Sequence, residues 1–293
     1  MRALKGWLLL LLLIASPVFA AGLEVYPRQV QDGEAFLLRL EAPDVIFAAV
    51  RWNDVPAIFD LRHDRGRLLL AVKPGQAPGR YPLQVYAVDR SGRTRRYRNE
   101  LDVVAARRPV ERLTLPPAQV TPRKPAVLER IGRERRQLQE IYAADTPSRF
   151  WSGFQRPVDD PVGSLFGLRR ILNGHPKSPH SGVDFRSPRG TPVRAPGAGT
   201  VRLADTLFYT GKTVVIDHGG GLVSVLAHLQ SLGVKSGREV RPGAIVGEVG
   251  STGRSTGPHL HWTVRLGGIP TDPLTLTTLL RTRGTMVHPA GKD

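Results

Sequence analysis

The 293-residue sequence predicts an all-β protein of two domains joined by a linker that carries one short helix. From Leu23 to Ala106, short alternating or apolar runs recur between turn clusters such as KPGQAPG and DRSGR. A proline-rich basic stretch then interrupts the pattern, and beyond Phe150 a second series of short β-type runs is spaced by many glycines. Strand-sized runs separated by Gly/Pro-rich turns are the signature of sheets packed or curled on themselves rather than of helices.

Taken in order, residues 1–20 (MRALKGWLLLLLLIASPVFA) set Arg2 and Lys5 before an apolar run from Trp7 to Ala15 and end on Val18-x-Ala20. This is the layout of a secretory signal peptide, and the run is shorter than the ~20 apolar residues of a spanning helix. Residues 21–106 read as an immunoglobulin-like β-sandwich, with strands in AFLLRLEA, VIFAAVRW, RLLLAVKP and YPLQVYAVD. His63 stands alone among charged residues there and reads as a solvated loop residue, so no catalytic cluster is expected in that domain.

Residues 107–149 form the expected linker. RRPVERLTLPPAQVTPRKP is too rich in proline for a regular helix and reads as extended chain. Leu128, Ile131, Leu138 and Ile141 recur at partly helical spacing between Ala126 and Ala144, which predicts a short amphipathic helix weakened by Gly132. Residues 150–282 form the second β-rich domain, and 283–293, with His288, read as a disordered polar tail.

The composition narrows the chemistry. A 41% apolar and 23% charged chain is that of a folded protein. With no cysteine there is no disulfide, no thiolate metal site and no lipid-bearing N-terminal Cys, so a metal must be held by His and carboxylates. Net charge is +17, or 17 − 2 = +15 without Arg2 and Lys5. On an exported protein that charge points to anionic envelope polymers rather than nucleic acid. The mature chain is expected to be a monomer with no membrane span.

Seven of the eight histidines fall after Phe150. In PHSGVDF, His180 and Asp184 are separated by three residues; His228 ends the apolar run LVSVLAH; and GPHLHW holds His259 and His261. Strand alternation sends His259 and His261 to one face and Leu260 to the other. A catalytic zinc needs three N/O ligands and an open position, which His180, Asp184 and one histidine of the pair would supply. No H-E-x-x-H is present, and the only glutamates after Phe150 are Glu239 and Glu248. The spare histidine and His228 are therefore the candidate proton carriers. His175 and His218 read as a polar loop residue and a hairpin cap.

The segments PHSGVDF, TPVRAPGAGTV, VVIDHGGGLVSVLAHL and VRPGAIVGEVGSTGRSTGPHLHW together resemble the lysostaphin-type, or LytM-type, zinc metalloendopeptidases that cut peptidoglycan peptides, over roughly Gly163 to Pro273. The resemblance implies one zinc ion held by His180, Asp184 and His261, with His228 and His259 flanking the reacting water as general base and transition-state stabiliser. It implies peptidoglycan as the substrate and the periplasm or cell envelope as the location. FGLRRILNGHPKSPH resembles the branch of the family with an N-terminal β-sandwich and suggests Arg169 or Asn173 as cleft-lining residues. One departure is Leu226, where many relatives carry tyrosine. The alternatives are a catalytically silent activator of another hydrolase and a related zinc D-amino-acid carboxypeptidase.

Overall fold

The computed structural model describes residues 18–19, 22–53, 55–62, 64–114, 122–144, 146, 154–176 and 178–284. The expected signal peptide, apart from the backbone of Val18–Phe19, lies outside the described residues, as do His63 and residues 285–293 with His288. The chain divides into two compact units, Met1–Ala105 and Ala106–Asp293. No helix among the described residues is long and apolar enough to cross a membrane.

In the first unit a six-stranded and a four-stranded sheet enclose one core. Leu83, Val85 and Ala87 are buried at every second position of the strand Gly79–Asp89, as alternation requires of a sheet with one covered face. They meet Phe36, Leu38 and Leu40 from the strand Ala35–Glu41 of the other sheet. Trp52 closes one end, edge-on to Phe36 at 5.1 Å, with its indole N–H donated to the Ala71 carbonyl at 2.7 Å. This is the two-layer all-β arrangement the alternating runs predict.

The second unit is organised by a ten-stranded sheet. At its centre Leu260–Leu266 lies between Val183–Phe185 and Leu222–Leu232, antiparallel to both. Leu260, Trp262 and Val264 point to a fully buried face, where Trp262 packs against Phe185 and Phe154. His261, between them, points to the other face.

Two features go beyond the sequence reading. The stretch expected to be plain linker contributes a strand, Val110–Leu113, paired in parallel with Arg169–Leu172. The helix that follows, Pro125–Tyr142, lays Leu138, Ile141 and Tyr142 against Leu203, Leu207, Val215, Val223 and Val225. A second helix, Pro273–Gly284, was not expected, because its threonines are poor helix formers. It forms because the Asp272 carboxylate accepts the Leu274 N–H at 2.8 Å and Pro273 opens the first turn, while Leu276, Leu279 and Leu280 are buried. Capping and burial outweigh propensity here.

Candidate metal centre and cleft

Sheet register assembles the centre. Asp184 sits directly opposite His261 on the neighbouring strand, so both side chains project from the same face. His180 lies in the segment leading into Asp184's strand, which Gly182 lets pass close to its neighbour. A Cβ at Gly182 would collide with the Trp262 carbonyl and the Thr263 hydroxyl. The result is that His180 Nε2, Asp184 Oδ1 and His261 Nδ1 converge: Nε2 to Oδ1 3.0 Å, Nε2 to Nδ1 3.0 Å and Nδ1 to Oδ1 2.6 Å.

The outer atoms fix which lone pairs face inward. His180 Nδ1–H donates to the Leu165 carbonyl at 2.9 Å, which leaves Nε2 as the free lone pair. His261 Nε2 is 2.9 Å from Thr263 Oγ1, and in the tautomer that donates Nε2–H to that hydroxyl the ring presents its Nδ1 lone pair to the centre. In these tautomers two imine nitrogens and a carboxylate oxygen point at one another. That arrangement repels itself unless a cation lies among the three atoms, and two imidazoles with one carboxylate are a donor set suited to zinc.

Burial pushes the Asp184 carboxyl up, but its contacts with His180 and His261 more than offset that and hold it well below the usual carboxylate range. Burial pushes His261 down against the opposing pull of Asp184. The other oxygen of Asp184, Oδ2, accepts a hydrogen bond from Arg170 Nη2 at 2.8 Å, and Arg170 Nε donates to Glu111 Oε2 at 2.9 Å. Glu111 in turn accepts the Ser164 hydroxyl at 2.6 Å. A carboxylate from the expected linker thus orients the guanidinium that orients Asp184.

His228 and His259 stand beside the trio. Their ring centroids are 4.7 Å apart, and that of His228 is 5.9 Å from that of His261. Simple alternation would turn His228 away, since Ala227 is the residue opposite His261. Here the strand Leu222–Leu232 changes partners, pairing through Ala227 with Leu260–Leu266 and from Leu229 with Ile245–Val249. At the changeover His228 takes φ 63°, a left-handed conformation that costs a non-glycine residue about 1–3 kcal/mol, and its ring comes round to the site.

His228 Nδ1–H donates to the Thr252 carbonyl at 2.8 Å and His259 Nδ1–H to that of Gly257 at 2.9 Å. Each keeps Nε2 as its free lone pair, and that of His259 is 3.9 Å from Asp184 Oδ1. Burial, helped by the neighbouring His261 and His259, lowers the His228 pKa to about 3, so its ring is neutral around pH 7.

All five singled-out residues, His180, Asp184, His228, His259 and His261, line one cleft of about 1110 Å³. Arg169 and Asn173 are not among its lining residues; their neighbours Arg170 and Leu172 are, because successive strand residues face opposite ways. His218 is a core residue, fully buried between the Ala198 carbonyl and Ser224, and His175 is exposed. Leu226 packs in the core opposite Trp262, away from the cleft. Arg170 and Glu111 were missed by sequence reasoning, which had no signal to join positions 59 residues apart.

Residues 178–273 match the model of peptidase family M23. Over 115 residues the chain is 40% identical to the DD-carboxypeptidase/endopeptidase Mpg of Neisseria meningitidis serogroup B, an alignment that covers 39% of this chain and 26% of that protein. Over 128 residues it is 41% identical to the peptidoglycan DD-endopeptidase ShyA of Vibrio cholerae, covering 41% and 29%. The chain therefore spans less than a third of the length of these curated relatives. A solved structure from Pseudomonas aeruginosa that carries the peptidase M23 designation superposes with a TM-score of 0.65 at 29% identity, covering 85% of this chain and 95% of that one.

Proposed function

We propose, for a chain whose residues 178–273 belong to peptidase family M23, that it is a zinc-dependent endopeptidase cutting peptide bonds in peptidoglycan stem peptides or cross-links. The observation that carries this reading is the convergence of His180 Nε2, Asp184 Oδ1 and His261 Nδ1 beside two further imidazoles in one open cleft. The names of Mpg and ShyA support the substrate and the reaction type. The retained donor set favours an enzyme over a silent activator. A peptidoglycan substrate and the N-terminal segment together support export to the periplasm or envelope.

His180, Asp184 and His261 would hold one zinc ion, which when bound supplies Lewis acidity and lowers the pKa of an attacking water. Leu165, Thr263 and Arg170 fix the three ligands by the hydrogen bonds described above, so the donor atoms are presented without rearrangement. His228 and His259 each direct a bare Nε2 towards the reacting volume. One accepts the water's proton, and in its protonated form either can donate to the developing oxyanion or to the leaving amine. The backbone carbonyls of Thr252 and Gly257 hold both rings in that tautomer throughout.

Mass spectrometry of fragments released from purified peptidoglycan by the zinc-loaded chain tests the reading. New amino and carboxyl termini inside cross-linked peptides, lost on chelation and absent in His261→Ala, are the expected result. Trimming confined to chain ends would establish the carboxypeptidase instead. No release by a chain shown to hold zinc would sink the enzymatic reading.

A further inference from the structure

The cleft carries more positive charge than its metal-binding residues use. Its lining includes the five arginines Arg170, Arg186, Arg189, Arg254 and Arg265 against two carboxylates, Asp184 and Glu111, both of which are bonded to Arg170. Arg254 differs from the others in being partly buried, held in place and without a carboxylate or other side-chain hydrogen-bond partner among the described residues.

The loop that presents Arg254 is rigidly tied to the catalytic face. Gly211 at φ 62° and Gly253 at φ 73° sit backbone against backbone, and a Cβ at either would collide with the other's segment. The Arg254 N–H donates to the Tyr209 carbonyl at 2.7 Å, and the guanidinium carbon lies over the Tyr209 ring at 4.5 Å. Two residues earlier the Thr252 carbonyl fixes His228. Arg254 is thereby locked relative to His228, one of the two candidate proton carriers.

A guanidinium in this position is disfavoured. Burial pushes its pKa down, a charge interaction with Tyr209 opposes that, and the like charge of Arg170 adds to it. A partly desolvated cation that shares a cleft with a second cation, without a carboxylate partner of its own among the described residues, is suited to an anion from outside. Its planar fork of N–H donors matches a carboxylate.

We propose that Arg254, held on Tyr209, is a carboxylate-binding subsite that reads a free acidic group of the peptide being cut. The inference rests on the endopeptidase reading, which supplies a peptide in this cleft.

The test uses the full zinc-loaded chain and cross-linked muropeptides, compared with the same material after carbodiimide amidation of its carboxylates with ammonia. Turnover and calorimetric binding are both measured. For the wild type, amidation raises KM and Kd by roughly tenfold with a smaller change in kcat, the size of one lost charged hydrogen-bonding pair. Arg254→Met, which can still cover the Tyr209 ring, shows the raised values on native muropeptide and no further rise on amidation. Arg254→Lys recovers part of the discrimination.

Equal loss on both materials in Arg254→Met, or a wild type indifferent to amidation, overturns the subsite while leaving the endopeptidase reading intact. Discrimination in binding without any turnover overturns the endopeptidase reading and keeps the subsite. Neither binding nor turnover overturns both.

Discussion

At the scale of single residues the five cleft side chains divide into two groups that mutation should separate. His261 points its only free lone pair at Asp184 and His180, so His261→Ala should remove metal binding and activity together. His228 touches the trio only through ring packing and is held by the Thr252 carbonyl, so His228→Ala should bind zinc with little change yet lose activity, on the order of 10²–10⁴-fold. Metal content by elemental analysis beside turnover distinguishes the two. Zinc lost from His228→Ala, or kept by His261→Ala, would refute the division. Alternation made the shared face of His259 and His261 legible in the sequence. The placing of His228 was not, because it depends on one left-handed residue at a point where a strand changes partners, and no side-chain pattern records that.

At the scale of elements, the strand Val110–Leu113 matters more than its proline-rich setting suggests. Its pairing with Arg169–Leu172 brings Glu111 to Arg170, and Arg170 to Asp184. Removing the guanidinium leaves one Asp184 oxygen without its donor and the carboxylate less constrained. Arg170→Met should therefore weaken zinc affinity by roughly 10–100-fold, and Glu111→Gln by less, in chelator competition read independently of activity. Unchanged affinity in both would show the network to be incidental.

The turn after the strand Gly79–Asp89 offers a different test. Asp89 accepts the Ser91 hydroxyl at 2.6 Å and the backbone N–H groups of Ser91 and Arg93, and its pKa falls to about 2, chiefly through the Ser91 side chain. A carboxyl depressed on folding contributes stability above its unfolded pKa of 3.8 and loses it as pH falls through about 2. The urea midpoints of the wild type and Asp89→Asn should thus differ most above pH 4 and converge towards pH 2. A gap that stays constant over that range would remove the carboxylate's charge from the explanation.

At the scale of the whole molecule, the all-β architecture was legible because alternation and turn residues are local signals. The extent of the second unit was not, because its edges are made by contacts between distant segments. A helix with none of its residues fully buried and a strand inside a proline-rich stretch both read as connection. Yet Leu138, Ile141 and Tyr142 cover the apolar side chains of Leu203, Leu207, Val215, Val223 and Val225, and Glu111 stands behind Asp184. A fragment of residues 106–293 should accordingly keep the full chain's zinc affinity. Residues 150–293, though they contain the four cleft histidines and Asp184, should bind zinc at least several-fold more weakly. The shorter fragment should also melt lower, since each partly buried apolar side chain removed contributes on the order of 1 kcal/mol and each kcal/mol moves the midpoint by about 2–4 °C. Calorimetric melting and chelator competition on the two fragments decide the matter. If the shorter one matches the longer in both, residues 106–149 connect the units without supporting the metal centre.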